Sequence, residues 1–130
     1  MEHPHLALAL SLWQATSESD VARLEQLLDP AVRWSFLDSG ALEGEIKGVD
    51  EVISTLARSG ELVDDLCSEL LDVYASDHGA VLFYRVEASR GLRSLSTDVL
   101  LQLDIAAGRV VAGRAMPLRS EESRHFWLAQ

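Results

Sequence analysis

The sequence is poor in the residues that mark several large functional classes. Cys67 is the only cysteine, which excludes an intramolecular disulfide and any metal cluster built on cysteines. Histidine is scarce: His3 and His5 stand near the start without a third partner, His78 lies in an Asp-His-Gly turn, and His125 precedes Phe126 and Trp127. No His-x-x-x-His or His-Glu-x-x-His spacing occurs, so no metal is expected. Neither Gly-x-Gly-x-x-Gly nor a Gly-Lys-Ser/Thr loop is present, and nucleotide cofactors have no visible cradle; the expectation is a protein that works without a cofactor. Positive charge is also short, with 11 basic against 21 acidic side chains and a formal net charge of -10. A surface of that sign repels phosphate backbones and anionic lipid, so neither a nucleic acid nor a membrane is the expected partner. No window reaches the roughly 18 to 20 apolar residues that cross a bilayer. The opening MEHPHLALALSL carries Glu2 where a secretion signal needs basic residues and ends in Trp13-Gln14 without a small-residue cleavage pattern. The expected location is therefore the cytoplasm.

What is present is apolar residue in quantity. Hydrophobic types make up 48% of 130 residues, enough for one domain spanning 1–130 to close a core of its own. Leu6, Leu10 and Trp13 recur at helical spacing and predict a helix over about 4–15, with Pro4 tolerated in its first turn. Ser17-Glu18-Ser19-Asp20 has the Ser-x-x-Asp spacing of a capping box, followed by Val21, Leu24, Leu27 and Leu28 on one stripe; Pro30 ends that second helix. Val32, Trp34 and Phe36 then alternate with Arg33, Ser35 and Leu37 as a strand, before a turn-prone Asp38-Ser39-Gly40. After a short linker between Gly44 and Gly48, Val49, Val52, Ile53 and Leu56 mark a third helix.

Beyond Glu69 the period changes to that of strands. LLDVYAS, AVLFYRVEAS, RSLSTDVLLQLD and RVVAGRAMPLR are separated by turns too short for anything but antiparallel neighbours. Helices followed by a meander predict an α+β fold in which a curved sheet wraps around the helices and leaves a cavity.

LEQLLDPAVRWSF, EGEIKGVDEVISTL, the meander and AAGRVVAGRAM together resemble the SnoaL-like, ketosteroid isomerase-related branch of the nuclear transport factor 2-like superfamily. The resemblance implies a cone-shaped, cystatin-like architecture: a curved antiparallel sheet around N-terminal helices, with an apolar small-molecule ligand in the cone and two copies paired as a homodimer. It implies a cofactor-independent acid/base enzyme of cyclase, isomerase or dehydratase type. A non-catalytic ligand-binding or dimerisation domain, or a limonene-type epoxide hydrolase, is the alternative. Laid over the isomerase pattern, the basic aspartate falls on Ser35 and the protonated aspartate near Leu100, so both carboxylates are missing.

Asp98 resembles the acid/base position of SnoaL-like cyclases, and an inward-facing Asp98 would be the carboxylate placed to shuttle a proton. The other reading of the same segment is a wet face, with Ser94, Ser96, Gln102 and Asp104 as polar companions at a period of two. Arg33 and Arg85 each interrupt a strand and could pair with Asp98, Asp72 or Glu87; an epoxide-hydrolase relay would need Arg33, Arg85, Asp72 and Asp98 all inward. Tyr84 is the candidate donor to a substrate oxygen, alongside Asp98 and Arg33 as the catalytic candidates. Trp13, Trp34, Tyr74 and Trp127 are the candidate substrate-binding rings, each apolar with one polar atom to orient a ligand.

Overall fold

A computed structural model describes residues 3–36, 44–61 and 65–118. Helix α1 (Pro4–Ser17) leads through α2 (Val21–Leu27) into strand β1 (Leu28–Phe36), followed by β2 (Gly44–Lys47) and helix α3 (Val49–Glu61). The chain then runs β3 (Asp65–Ala75), β4 (Gly79–Arg90), β5 (Arg93–Ala106) and β6 (Arg109–Pro117). These form one six-stranded sheet in the order β2-β1-β6-β5-β4-β3, curved around the helices.

Local chemistry sets the element ends. Pro4 sits at the start of α1, where its missing N–H costs nothing, and His3 caps the helix by accepting the His5 backbone N–H on Nδ1 at 3.1 Å. The face that α1 buries is Ala9, Leu12 and Ala15 rather than the Leu6–Leu10–Trp13 stripe expected, and Leu10 is 40% exposed. With LALALSL apolar on nearly every side, spacing does not single out a face; the small alanines let the helix approach closely. The expected capping box at Ser17 does not form. Ser17 still belongs to α1 and donates back to the Trp13 carbonyl, while Asp20 itself caps α2 by accepting from Arg23 N at 3.2 Å.

Strand β1 begins at Leu28, four residues earlier than its alternation indicates. Its register with β6 shifts between Leu28 and Arg33, and Pro30 is accommodated in that irregular stretch. β1 pairs antiparallel with β2 and parallel with β6, so the sheet carries one parallel ladder that the sequence pattern did not show. Helix α3 and four strands lie between β1 and β6 in the chain, which leaves ample length for that crossover. The meander β3-β4-β5-β6 is antiparallel throughout, as expected. Ala107 and Gly108, both at positive φ, make the two-residue β5–β6 turn whose twist matches the strands it joins.

The core lies between sheet and helices. Leu28, Val32, Leu82, Leu103 and Val110 come from the sheet, Val52 from α3, and Ala9, Leu12 and Ala15 from α1. Val49, Ile53 and Leu56 pack beside Val52, as their spacing predicts. Among the described residues no helix is long and apolar enough to cross a membrane.

Candidate functional site

The strand period of two divides the sheet into a concave face toward the helices and a convex face away from them. On β5 the division is strict: Leu95, Thr97, Val99, Leu101, Leu103 and Ile105 are buried, whereas Ser96, Gln102 and Asp104 are exposed. Cross-strand register carries it onto the neighbours. Ser68, Val86 and Thr97 form one concave row, and Leu70, Tyr84 and Val99 the next. Ser68 and Thr97 are thereby diagonal neighbours of Tyr84 in the register.

Tyr84 is the centre of this group. Its ring meets Trp13 of α1 at a centroid distance of 5.0 Å and a tilt of 52°, so the helix and sheet close on each other there. Burial pushes the phenol pKa up to about 12, which keeps it protonated and a neutral donor at any ordinary pH. Thr97 is buried and spends its own proton on the Asp98 carbonyl at 3.4 Å. On the same face, Leu66 is 42% exposed and Ser68 is exposed, while their row partners Ala88, Leu95 and Thr97 are buried. The concave face is therefore accessible over β3.

Trp34 occupies the concave side of β1 with 3% of its surface exposed. Its benzo edge lies over Gly113 of β6: a Cβ at that position would come within 2.5 Å of Cε3 and Cζ3. The indole Nε1–H is on the opposite edge, and among the described residues it has no hydrogen-bond partner. An orphaned buried donor costs roughly 1–3 kcal/mol. Burying it that way needs a reason.

The convex face has the opposite chemistry. Glu45, Glu69, Asp72, Glu87, Asp98 and Asp104 all take the convex position in their rows. Asp98, expected inside the cone, is on this outer face with its side chain 29% exposed, because it is out of phase with the buried Thr97 and Val99. It accepts from Arg85 Nε at 2.9 Å. That hydrogen bond, and then the charge of Asp98, raise the Arg85 pKa. The wet-face reading of Ser96, Gln102 and Asp104 is the one the structure supports.

Arg33 also faces outward and donates from Nε and Nη2 to one oxygen of Glu45, at 3.0 and 2.9 Å. Tyr74 is convex, 59% exposed and donates to Asp72 at 2.8 Å; that hydrogen bond, and then the carboxylate's charge, raise its pKa. Trp127 lies outside the described residues. Of the sequence candidates, then, the structure brings together Trp13 and Tyr84, keeps Trp34 on the same concave face, and turns Asp98, Arg33 and Tyr74 away. The inward Arg33–Arg85–Asp72–Asp98 relay does not assemble, since all four stand on the convex side. Sequence reasoning missed Ser68 and Thr97; the unbroken apolar phase of Leu95, Val99, Leu101, Leu103 and Ile105 was the signal that Thr97 points inward. It also missed a convex depression of about 230 Å³ lined by Arg33, Ser35, Glu45, Gln102, Asp104 and Arg114. Among the described residues no three metal-ligating side chains converge.

The model of the SnoaL-like domain family matches residues 10–113, from within α1 to the middle of β6. The chain belongs to the SnoaL-like family. An uncharacterised protein of Mycobacterium tuberculosis H37Rv is 27% identical over 124 residues, covering 94% of this chain and 95% of that one. The structure of Bal32a, from a soil-derived mobile gene cassette, superposes with a TM-score of 0.86 at 23% identity, over 96% of this chain and 99% of that one. TerC, co-crystallised with polyporic acid, superposes with a TM-score of 0.81 at 13% identity, over 98% and 100% of the two chains. In this SnoaL-like chain the position matched to the isomerase's base, Ser35, faces outward beside Arg114. Its inward neighbours, Trp34 and Phe36, carry no base.

Proposed function

We propose that this SnoaL-like domain binds a small apolar molecule against the concave face of its sheet, without using a carboxylate to move protons. The observation that carries the reading is the segregation of side chains. The concave rows from Leu66–Ala88–Leu95 to Ile105 present aliphatic groups and neutral hydroxyls, with the Trp34 indole on the same face of β1 and the cations Arg90 and Arg93 in phase only at the end of β4 and β5, while Glu69, Asp72, Glu87, Asp98 and Asp104 face outward. Acid/base catalysis needs a titrating group within hydrogen-bond reach of the substrate, and Tyr84, whose pKa burial pushes up to about 12, is at ordinary pH a neutral donor and not a base. An apolar, largely uncharged interior is suited to taking a ligand out of water. TerC, a protein of the same fold, was crystallised with a small molecule, which accords with this use of the architecture.

The test is a chemical-shift survey of labelled protein against neutral apolar fragments. Binding that perturbs Ser68, Tyr84, Val86 and Thr97 is the expected result. Perturbations confined to Arg33, Gln102 and Arg114 would move the ligand site to the convex face and overturn the reading.

The same reading includes a homodimer formed through the convex face. Phe83, Leu100 and Met116 are direct cross-strand partners and make an apolar row across β4, β5 and β6. Charged side chains at Arg85, Asp98 and Arg114 flank it, the mix of apolar centre and polar rim that stable interfaces use. Leu100→Lys, with sedimentation velocity as the readout, is expected to convert a dimer to monomer; a wild-type monomer at ~50 μM, well within the range where a standard-size interface associates, would reject the pairing.

A further inference from the structure

We propose that the convex depression of about 230 Å³ is a binding site for a small zwitterion of the ω-amino acid class, its carboxylate held by Arg114 and its ammonium by Asp104. The inference is independent of the concave-face reading, because it concerns the other side of the sheet and a charged ligand.

The depression has a local cause. Both ladders of β6 change register between Val110 and Ala112, so Val111 is an extra residue there. A bulge of this kind bends the strand and re-aims the side chains around it. Ala112 and Gly113 then form a floor that fills little space, with longer side chains around it. The volume lies below the roughly 300–1,000 Å³ of sites for drug-sized ligands, which suits an occupant of few heavy atoms.

The charges around it are split in a way that the rest of this face is not. Arg85 and Asp98 close on each other at 2.9 Å, and Arg33 gives Nε and Nη2 to one oxygen of Glu45. Arg114 and Asp104 are diagonal neighbours across β5 and β6, at a spacing of about 7–8 Å that long side chains can bridge. Yet neither has an ion pair among the described residues. The depression therefore offers one uncommitted cation and one uncommitted anion, beside an Arg33–Glu45 pair that is already neutral. A simple anion would meet Asp104 as a repelling neighbour, and a simple cation would meet Arg114. A molecule with opposite charges at its two ends satisfies both, and ends several bonds apart match the diagonal better than the adjoining charges of an α-amino acid.

The probes are 4-aminobutanoate and its two halves, butanoate and butylammonium, titrated into ¹⁵N-labelled protein at constant ionic strength so that screening does not differ between them. Water competes for exposed charges, so the zwitterion is expected to bind with a Kd of about 1 mM, moving Gln102, Asp104 and Arg114 while Val86 and Thr97 stay still. Each half should bind about 10-fold more weakly. Asp104→Asn should bring butanoate level with the zwitterion, and Arg114→Gln should do the same for butylammonium. Equal binding of the zwitterion and either half to the wild type would overturn the assignment, as would the absence of any shift at about 10 mM, ten times the expected Kd. Loss of self-association in Arg114→Gln, with no zwitterion bound by the wild type, would give the depression to a second copy of the chain and overturn it too. None of these results touches the concave face, where neutral fragments are the test.

Discussion

The two faces of one sheet follow different rules, though every strand of the meander contributes to both. On the concave face each side chain is constrained by neighbours from the helices as well as from the sheet. On the convex face of a single chain, side chains meet their neighbours on the sheet and no covering helix. The contrast shows in pairs one residue apart: buried Thr97 beside half-exposed Asp98, and Trp34 beside Arg33. A charge costs little on the outer side and a great deal on the inner side, and the carboxylates of β2 to β5 have sorted accordingly.

The largest effect that sharpens the contrast is a core truncation set against its convex neighbour. Leu82 is 1% exposed in the middle of β4. Leu82→Ala should cost about 2–5 kcal/mol through lost transfer energy and the cavity left behind. Gln102→Ala, on the outer side, should change stability by less than about 0.5 kcal/mol. Chemical denaturation of both variants checks the pair, and similar losses would mean that the two faces are equally packed.

Next in size is Gly113→Ala. The added methyl would stand 2.5 Å from the Trp34 ring, so either the indole or β6 must move. A loss of about 1–3 kcal/mol is expected, the usual cost of overpacking. The Trp34 fluorescence should change with it, while the equivalent substitution at Gly108, whose turn position is open to solvent, would strain the backbone and leave the indole alone.

Tyrosine titration separates the faces a third way. Tyr84 is raised from 10.0 to about 12 by burial, whereas Tyr74 is raised by its hydrogen bond to Asp72 and the charge of that carboxylate. A phenol whose folded pKa lies above its unfolded value supports the fold fully below pH 10, and that support is lost as the pH rises from 10 toward 12. Alkaline unfolding followed by circular dichroism should therefore begin above pH 10 and move upward in Tyr84→Phe. A Tyr74→Phe variant that moved it as far would assign the effect to the wrong face.

Much of this was legible in the residues alone. The helices, the order of elements and the antiparallel meander followed from period and turn chemistry, and the cone followed from the resemblance. Facing was harder. Around Asp98 the segment RSLSTDVLLQLD alternates cleanly, yet a period of two says only that Asp98 and Leu100 share a side. Which side is inward depends on where the helices pack, a tertiary fact that the outward lean of Leu100 disguised. The parallel β1–β6 ladder was hidden for a similar reason, because nothing local to Trp34 or Gly113 encodes their pairing. Trp34 itself was visible as an aromatic candidate; its orphaned N–H was not, since satisfaction of a donor is a property of the packed interior.

A small effect is expected at the residue that looked most chemical. Asp98 and Arg85 are opposite each other in register and meet at 2.9 Å, but the side chains are 29% and 45% exposed, so water competes for both groups. Exposed pairs of this kind typically contribute between about 0 and 1 kcal/mol. Asp98→Asn keeps the shape and the cross-strand contact while removing the charge, and should lower stability by no more than that amount, with the loss shrinking further in high salt as the pair is screened. Binding of a neutral ligand on the concave face should be unchanged, because the carboxyl lies on the other side of the sheet. Arg85→Gln in the Asp98→Asn background should add little, since the partner is already gone, and a double-mutant cycle in urea measures that coupling directly. A coupling well above 1 kcal/mol would show the pair shielded from water, as a second copy docked on the convex face would shield it, and diluting the protein until the coupling falls would then separate that cause from any role in the monomer.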